Sequence, residues 1–96
     1  MISLKSFKVQ NMVSSTGGKI SNQSIIETEG GYYFQSYESI IAYKPKAELC
    51  KVVLDAKYWD YRRTTGKYRN IFLGEDKETT ERKLKGGRYI LGDLNK

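Results

Sequence analysis

Hydrophobic and polar residues alternate through much of the first half of the chain, and a period of two is the pattern of a half-buried β-strand. The alternation is imperfect over residues 4–13, which predict a first strand, and clearer over residues 23–29 and 32–37. Gly30 and Gly31 separate the last two runs. Both central residues of a type I′ turn need positive φ, which glycine adopts freely, so we predict a β-hairpin closed by this glycine pair.

Two further apolar runs predict strands before residue 55. Residues 39–43 form the first, which stops ahead of Pro45 because proline cannot donate to a strand ladder. Residues 49–54 form the second and contain Cys50. A single cysteine in an apolar run is expected to be a reduced thiol packed as a small hydrophobe. Three or four antiparallel strands in a row are therefore expected.

Tyrosine dominates the aromatic residues, with eight Tyr against three Phe and one Trp. A tyrosine buries its ring while its hydroxyl keeps a partner or water, so it suits half-buried sheet faces and binding surfaces alike. We expect most of these tyrosines to lie on the sheet. In the run 32–37, Tyr32 and Phe34 are predicted to face one side, and Tyr33, Gln35 and Tyr37 the other.

The periodicity changes after residue 55. Thr64 or Thr65 is a suitable N-cap for a short helix, and Gly74 stands where a C-cap glycine belongs. A second helix is predicted at about residues 77–85, and a closing strand at residues 88–91. We therefore predict an α+β fold, with a small antiparallel sheet of about four to five strands and two short helices in the C-terminal half.

The length of 96 residues allows one core, so residues 1–96 are predicted to form a single domain. Its strands would occupy about residues 1–54, and its helices and closing strand about residues 55–96. The chain has a formal charge of +6, from 17 basic and 11 acidic residues. Residues 1–48 have a net charge of +1 and residues 49–96 a net charge of +5. An anionic partner would therefore be expected to meet the second half.

Most catalytic and metal-binding chemistry lacks its usual residues in this sequence. There is no histidine, which is the commonest general base near neutral pH, and the single cysteine cannot build a structural zinc site. The run from Thr16 to Lys19 lacks the spacing of a phosphate-binding loop. No spacing connects the scattered aspartates, which leave metal-assisted phosphodiester cleavage as a residual alternative. We predict a protein that is not an enzyme, with no catalytic residue, cofactor or metal.

Residues 57–70 combine five basic residues with four aromatic ones and a single acid. Basic side chains neutralise phosphates, while aromatic rings and guanidinium planes stack on unpaired bases. The predicted binding residues are Lys57, Tyr58, Tyr61, Arg62, Arg63, Lys67, Tyr68 and Arg69. A purely structural alternative stays open, in which Trp59 and Tyr61 belong to the core and the arginines are merely solvated.

The chain offers no apolar stretch near the roughly 20 residues that span a bilayer, and its N-terminal residues lack the apolar core of a signal peptide. We therefore expect a cytoplasmic protein that does not bind membranes.

Four segments of the chain carry a family resemblance: Phe-Gln-Ser-Tyr at 34–37, Ser-Ile-Ile-Ala at 39–42, Trp-Asp-Tyr at 59–61 and Thr-Thr-Gly-Lys-Tyr-Arg-Asn-Ile-Phe-Leu-Gly at 64–74. With these segments the chain resembles a group of small uncharacterised proteins encoded by bacteriophages. The resemblance covers about residues 23–94. It implies a phage or mobile-element origin and transfers no catalytic residue to this chain.

Three functional hypotheses follow. The first is a non-catalytic protein that binds a host or phage nucleoprotein complex, for example as an inhibitor of a defence system; this hypothesis rests on the resemblance. The second is a nucleic-acid-binding module for RNA or DNA with little sequence preference. The third is a structural or self-assembling protein, which a free sheet edge at the first strand or at residues 88–91 would favour. The sequence leaves the oligomeric state open.

Overall fold

The computed structural model describes residues 8–13 and 16–95. They form one mostly antiparallel sheet and two helices. The strands are β1 (Lys8–Val13), β2 (Lys19–Glu27), β3 (Gly31–Ser36), β4 (Ser39–Pro45), β5 (Val52–Asp55) and β6 (Tyr89–Gly92). The helices are α1 (Arg63–Leu73) and α2 (Lys77–Lys85). The predicted α+β class and the two helices in the C-terminal half are confirmed. The part of the predicted first strand before residue 8 lies outside the described residues.

The strands follow one another across the sheet in the order β1-β2-β3-β4-β5-β6. Neighbours are antiparallel from β1 to β5, whereas β5 and β6 pair in parallel. The prediction of four to five strands is therefore too low, and the predicted antiparallel sheet is mostly antiparallel, with one parallel pair at β6. Parallel neighbours need a crossover connection, and both helices lie in the crossover between β5 and β6.

Alternate residues of the strands build the core between the sheet and the helices. Phe34, Ala42 and Leu54 are paired in register across β3, β4 and β5, and all three are fully buried. Phe72 of α1 stacks on Phe34 with 5.7 Å between the ring centroids. These contacts place α1 over the middle of the sheet, with its N-terminal end extending past the turn between β3 and β4.

The hairpin between β2 and β3 is confirmed, but its turn is not the predicted type I′. Neither Gly30 nor Gly31 has positive φ. The turn is closed by Thr28, whose backbone N–H donates to the Gly31 carbonyl and whose hydroxyl accepts from the Gly31 N–H. Glycine is needed at position 31 for space, because a Cβ there would lie 2.5 Å from the carbonyl oxygen of Lys44 in β4.

The strand predicted for residues 49–54 begins later than expected. β5 starts at Val52, and the preceding Leu49 is 99% exposed. Cys50 is a free, exposed thiol, so the prediction of a packed core cysteine is wrong. After Pro45 the chain forms turns before it rejoins the sheet, and these turns keep the first part of the apolar run out of the core.

The two helices differ in how their ends are capped. α1 starts after Arg62, whose side chain makes no capping bond, so the prediction of Thr64 or Thr65 as N-cap is wrong. Thr65 is instead buried inside the helix, where its hydroxyl lies 2.8 Å from the hydroxyl of Ser36. The C-cap prediction is confirmed, since Gly74 adopts the left-handed conformation with φ 71°. α2 spans the predicted 77–85, and the carboxylate of Asp76 caps its N-terminus.

One buried carboxylate connects the crossover to the sheet. Asp55, at the end of β5, accepts from the backbone N–H groups of Lys57, Tyr58 and Leu94. Burial alone would raise the pKa of Asp55, but these hydrogen bonds outweigh burial and lower it. The ionised carboxylate therefore holds the chain that leaves β5 against the chain that leaves β6.

Candidate anion-binding surface

A shallow pocket of about 630 Å³ opens beside the N-terminal half of α1. It is formed by the end of the 56–62 segment, by α1 and by the first residue of α2. The lining residues are Asp60, Tyr61, Arg62, Arg63, Gly66, Lys67, Arg69, Asn70 and Lys77. Five of these nine side chains are cationic and one is acidic. The pocket therefore has the charge expected of a site for an anion.

Asp60 and Arg69 form the floor of this pocket. Arg69 is only 1% exposed, and its Nη1 donates both to a carboxylate oxygen of Asp60 at 2.9 Å and to the carbonyl oxygen of Trp59 at 2.8 Å. Its Nη2 donates to the side chain of Asn70, and the guanidinium lies 5.1 Å from the Trp59 ring centroid. A guanidinium can satisfy such a divided set of acceptors because its donors are fixed in one plane. Arg69 therefore holds the 59–60 turn against α1.

Lys77 completes the ion cluster from the start of α2, with its ammonium nitrogen 2.7 Å from the second carboxylate oxygen of Asp60. Burial would raise the pKa of Asp60, but hydrogen bonds from Lys77 and Arg69 outweigh it and lower the pKa. The same hydrogen bond raises the pKa of Lys77. One carboxylate thus neutralises only part of the charge of two cations, and the floor stays electropositive.

The rim of the pocket has three exposed cations, Arg62, Arg63 and Lys67. None of them forms an ion pair with an acidic side chain of the described residues. We call these three residues the basic rim. The guanidinium of Arg62 is held over two rings, 4.8 Å from the centroid of Tyr37 and 5.3 Å from that of Tyr61. The rim is thus partly ordered before any partner arrives.

The backbone of α1 contributes to the same place. Arg62 is the N-cap and has no side-chain acceptor, and the first turn contains no acidic residue. The first N–H groups of a helix have no partner within the helix and carry partial positive charge. An anion within the basic rim would therefore also lie close to amide donors of α1.

The structure divides the predicted binding residues into three groups. Tyr61, Arg62, Arg63 and Lys67 lie together in the lining of the pocket, and their role in binding stays a prediction. Arg69 also lines the pocket, but it is buried and paired with Asp60, so the fold separates it from the exposed cations, and its role in binding likewise stays a prediction. The burial follows from Asp60 and the Trp59 carbonyl, which supply acceptors below the surface.

The remaining predicted residues do not line this pocket. Lys57 and Tyr58 line a second groove with Asp55, Asp93 and Asn95, and that groove has two carboxylates against one cation. Tyr58 is half-buried and packs against the core, edge to face with Tyr61 at 5.2 Å. Tyr68 also packs against the core and carries the ammonium of Lys67 over its ring. Trp59 likewise belongs to the core margin, as the structural alternative proposed.

Sequence reasoning missed Tyr37, Asp60, Asn70 and Lys77. Tyr37 comes from the turn between β3 and β4, where it has a φ of 56°, and no local pattern connects it to Arg62. Lys77 belongs to the next helix and reaches the pocket only because the chain turns sharply at Gly74. Asp60 was the one acid in a basic run, and that isolation is a usable signal for an internal ion pair.

The described part of the chain has no group of three or more His, Cys, Asp or Glu side chains placed to hold a metal ion. Neither of its helices has the length and apolar character that crossing a membrane requires.

A family described as a family of unknown function, DUF8033, matches residues 7–87. The chain belongs to this family. Comparison with curated proteins and with solved structures finds no match. The DUF8033 region contains both helices and the whole pocket, but the family description assigns no activity or origin, so the phage resemblance stays a prediction.

Proposed function

We propose that this protein is a non-catalytic binding protein that contacts the phosphates of a nucleic acid, within a host or phage nucleoprotein complex, through the basic rim. The observation that supports this most is the set of three exposed cations that form no ion pair within residues 8–13 and 16–95, around the end of α1 that has no side-chain cap. Charges that are not neutralised internally are available to a partner, and clustered arginine and lysine side chains bind the phosphates of a nucleic acid through charge-assisted hydrogen bonds.

The aromatic residues favour phosphate contact over base recognition. Tyr61 is half-buried against the core, and the Arg62 guanidinium already lies over Tyr61 and Tyr37. These rings therefore position a cation instead of offering free faces for stacking. Binding that relies on phosphates carries little sequence information and weakens strongly with salt.

The finer role rests on the sequence resemblance. A small phage or mobile-element protein of this kind acts stoichiometrically. Blocking the nucleic-acid path of a defence complex would need a basic rim and no catalytic group. Direct binding of free RNA or DNA is the alternative, and it uses the same surface.

The decisive measurement is fluorescence anisotropy with a mixed-sequence single-stranded oligonucleotide at several salt concentrations. The variant Arg62→Glu/Arg63→Glu is expected to bind at least tenfold more weakly. Each phosphate contact contributes about −0.7 to the slope of log K against log salt for single strands, so losing two contacts reduces the slope by about 1.4.

Arg82→Glu/Lys85→Glu is the matched control, because it makes the same change in net charge on exposed residues of α2. It is expected to weaken binding by less than threefold. Equal losses in both variants would contradict a defined phosphate site. Retention of a lysate partner after nuclease treatment, lost only in the Arg62/Arg63 variant, would show that the rim binds a protein.

A further inference from the structure

The face of the sheet opposite the helices has a continuous row of apolar and aromatic side chains. The strand registers pair Val9 with Ile26, Ile26 with Tyr33, Tyr33 with Tyr43, Tyr43 with Val53, and Val53 with Ile90. One residue from each of the six strands is therefore in line. We call Val9, Ile26, Tyr33, Tyr43, Val53 and Ile90 the apolar row.

Strand alternation places the row on the uncovered side. Its chain neighbours Ile25, Phe34, Ala42 and Leu54 belong to the core beneath the helices, and successive side chains of a strand point to opposite faces. The row lies outside that core. Its outer members, Val9 and Ile90, are 58% and 43% exposed, and the four inner members are half-buried.

The apolar row itself has no charged side chain. The next positions along the same face are Asn11, Ser24, Gln35, Ile40 and, by strand alternation from Val53, Asp55. Asp55 is 2% exposed and accepts from three backbone N–H groups, so its carboxylate is not presented to a second copy. The chain has a net charge of +6, and because like charges oppose contact between two copies, the row offers a second copy less repulsion than the basic rim does.

The order of residues along the row is self-complementary. Two tyrosines occupy the centre, with rings 4.6 Å apart, and β-branched residues continue outward on both sides. A two-fold axis parallel to the strands, between β3 and β4, brings Tyr33 opposite Tyr43 of a second copy, Ile26 opposite Val53 and Val9 opposite Ile90. A two-fold interface uses the same patch on both copies, so this matching is what such an interface requires.

We propose that two copies of this chain pack face to face through the apolar row, forming a symmetric dimer. Six strands about 4.8 Å apart and about four to six residues long give a face of roughly 400 to 500 Å² in plan. That is little more than half of the roughly 800 Å² per partner of a standard interface, so the dimer is expected to be weak and to dissociate in the micromolar range. Both basic rims point away from this contact and remain free.

Sedimentation velocity over about 1 to 200 µM tests the dimer. The mass of the unchanged chain is expected to rise with concentration from 11.1 kDa to twice that value. Ile26→Glu alone and Val53→Lys alone are each expected to weaken dimerisation at least tenfold, because each places an unpaired charge in the interface. Ile26→Glu/Val53→Lys in one chain is expected to restore it, since the two-fold axis brings each Glu opposite a Lys.

Ile71→Glu is the matched control, because Ile71 is 58% exposed on α1, and this variant should dimerise like the unchanged chain. If Ile26→Glu unfolds, Val9→Glu tests the same surface at an exposed edge position. A chain that stays at 11.1 kDa throughout would overturn the proposal. So would a dimer that survives Ile26→Glu or Val9→Glu, because such a dimer would pair through the free edges of β1 or β6.

Discussion

The two faces of the sheet differ in nearly every physical respect. The face under the helices is fully buried at its centre, and it packs against α1, which contributes a buried hydroxyl and a buried arginine with specific partners. The opposite face has the apolar row, whose side chains are half-buried or exposed and carry no charge. One face thus determines the fold and places the cations, whereas the other keeps apolar area that the described chain does not use.

This separation gives the two proposed contacts opposite responses to salt. Contact of the basic rim with phosphate releases counterions and weakens as salt rises. Contact through the apolar row buries uncharged surface and has no counterions to release. A titration of salt in the presence of an oligonucleotide should therefore remove nucleic acid from the protein while the protein mass stays doubled at high concentration.

The largest expected difference between the two faces concerns neighbouring residues of β3. Phe34→Ala is expected to lower the free energy of unfolding by about 4 kcal/mol, because it leaves a cavity beneath Phe72 in the fully buried core. Tyr33→Ala, on the other face, removes a half-buried ring that lies 4.6 Å from the ring of Tyr43, and it is expected to lower the free energy of unfolding by about 1 to 2 kcal/mol. Urea unfolding at low micromolar protein measures both.

Low concentration matters for this comparison, because dimer formation would add to the apparent stability of the unchanged chain. Equal losses at both positions would mean that the apolar row is covered, and the contrast between the faces would then fail.

A second comparison concerns two arginines of one segment. Arg69→Met is expected to lower the free energy of unfolding by about 3 kcal/mol, because it leaves Asp60 and the Trp59 carbonyl without their buried donor. Arg62→Met removes an exposed side chain that stacks on two rings, and it is expected to lower the free energy of unfolding by about 0.5 to 1 kcal/mol. The oligonucleotide assay should give the opposite ranking per folded molecule, with the larger loss of affinity for Arg62→Met. An unchanged free energy of unfolding in Arg69→Met would contradict the structural role of Arg69 in the pocket floor.

The sequence predicted most of what depends on local chemistry. The end of α1 at Gly74 and the bounds of α2 follow from backbone preference and from flanking signals that act within one helical turn. The parallel partner of β5 could not be predicted, because pairing β6 with β5 depends on where a crossover of more than 30 residues returns. Cys50 was wrongly predicted to be buried, because an apolar run indicates that some of its residues are buried but does not indicate at which residue the strand begins.

For the binding surface, local composition located the segment but could not sort its members. Arg62, Arg63 and Arg69 look alike in the sequence, and only the fold brings acceptors from Asp60 and Trp59 under the third. The same limit applies to the apolar row. Alternation separated Tyr33 from Phe34, but which face the helices cover depends on the crossover.

The smallest expected effect concerns pH and the polar network at the edge of the covered face. The Glu75 carboxylate, with its side chain 8% exposed, accepts from Lys83 at 2.7 Å, from Thr80 at 2.6 Å and from Tyr89 at 2.8 Å. Burial raises the pKa of Glu75, but these hydrogen bonds outweigh it and lower the pKa below the ordinary 4.5. The network connects the turn between the helices to α2 and to the start of β6.

A carboxyl group with a lower pKa in the folded chain stabilises the fold above its unfolded pKa, and that contribution is lost as the pH falls through the folded value. Glu75→Gln is therefore expected to cost about 1 to 2 kcal/mol at pH 7 and to flatten the fall in unfolding free energy below pH 4.5. Urea unfolding at several pH values measures this slope. Glu78→Gln, at an 83% exposed side chain of α2, is the control and should follow the unchanged chain. A Glu75→Gln slope as steep as that of the control would mean that other carboxylates, such as Asp55 and Asp60, determine the acid sensitivity of the covered face.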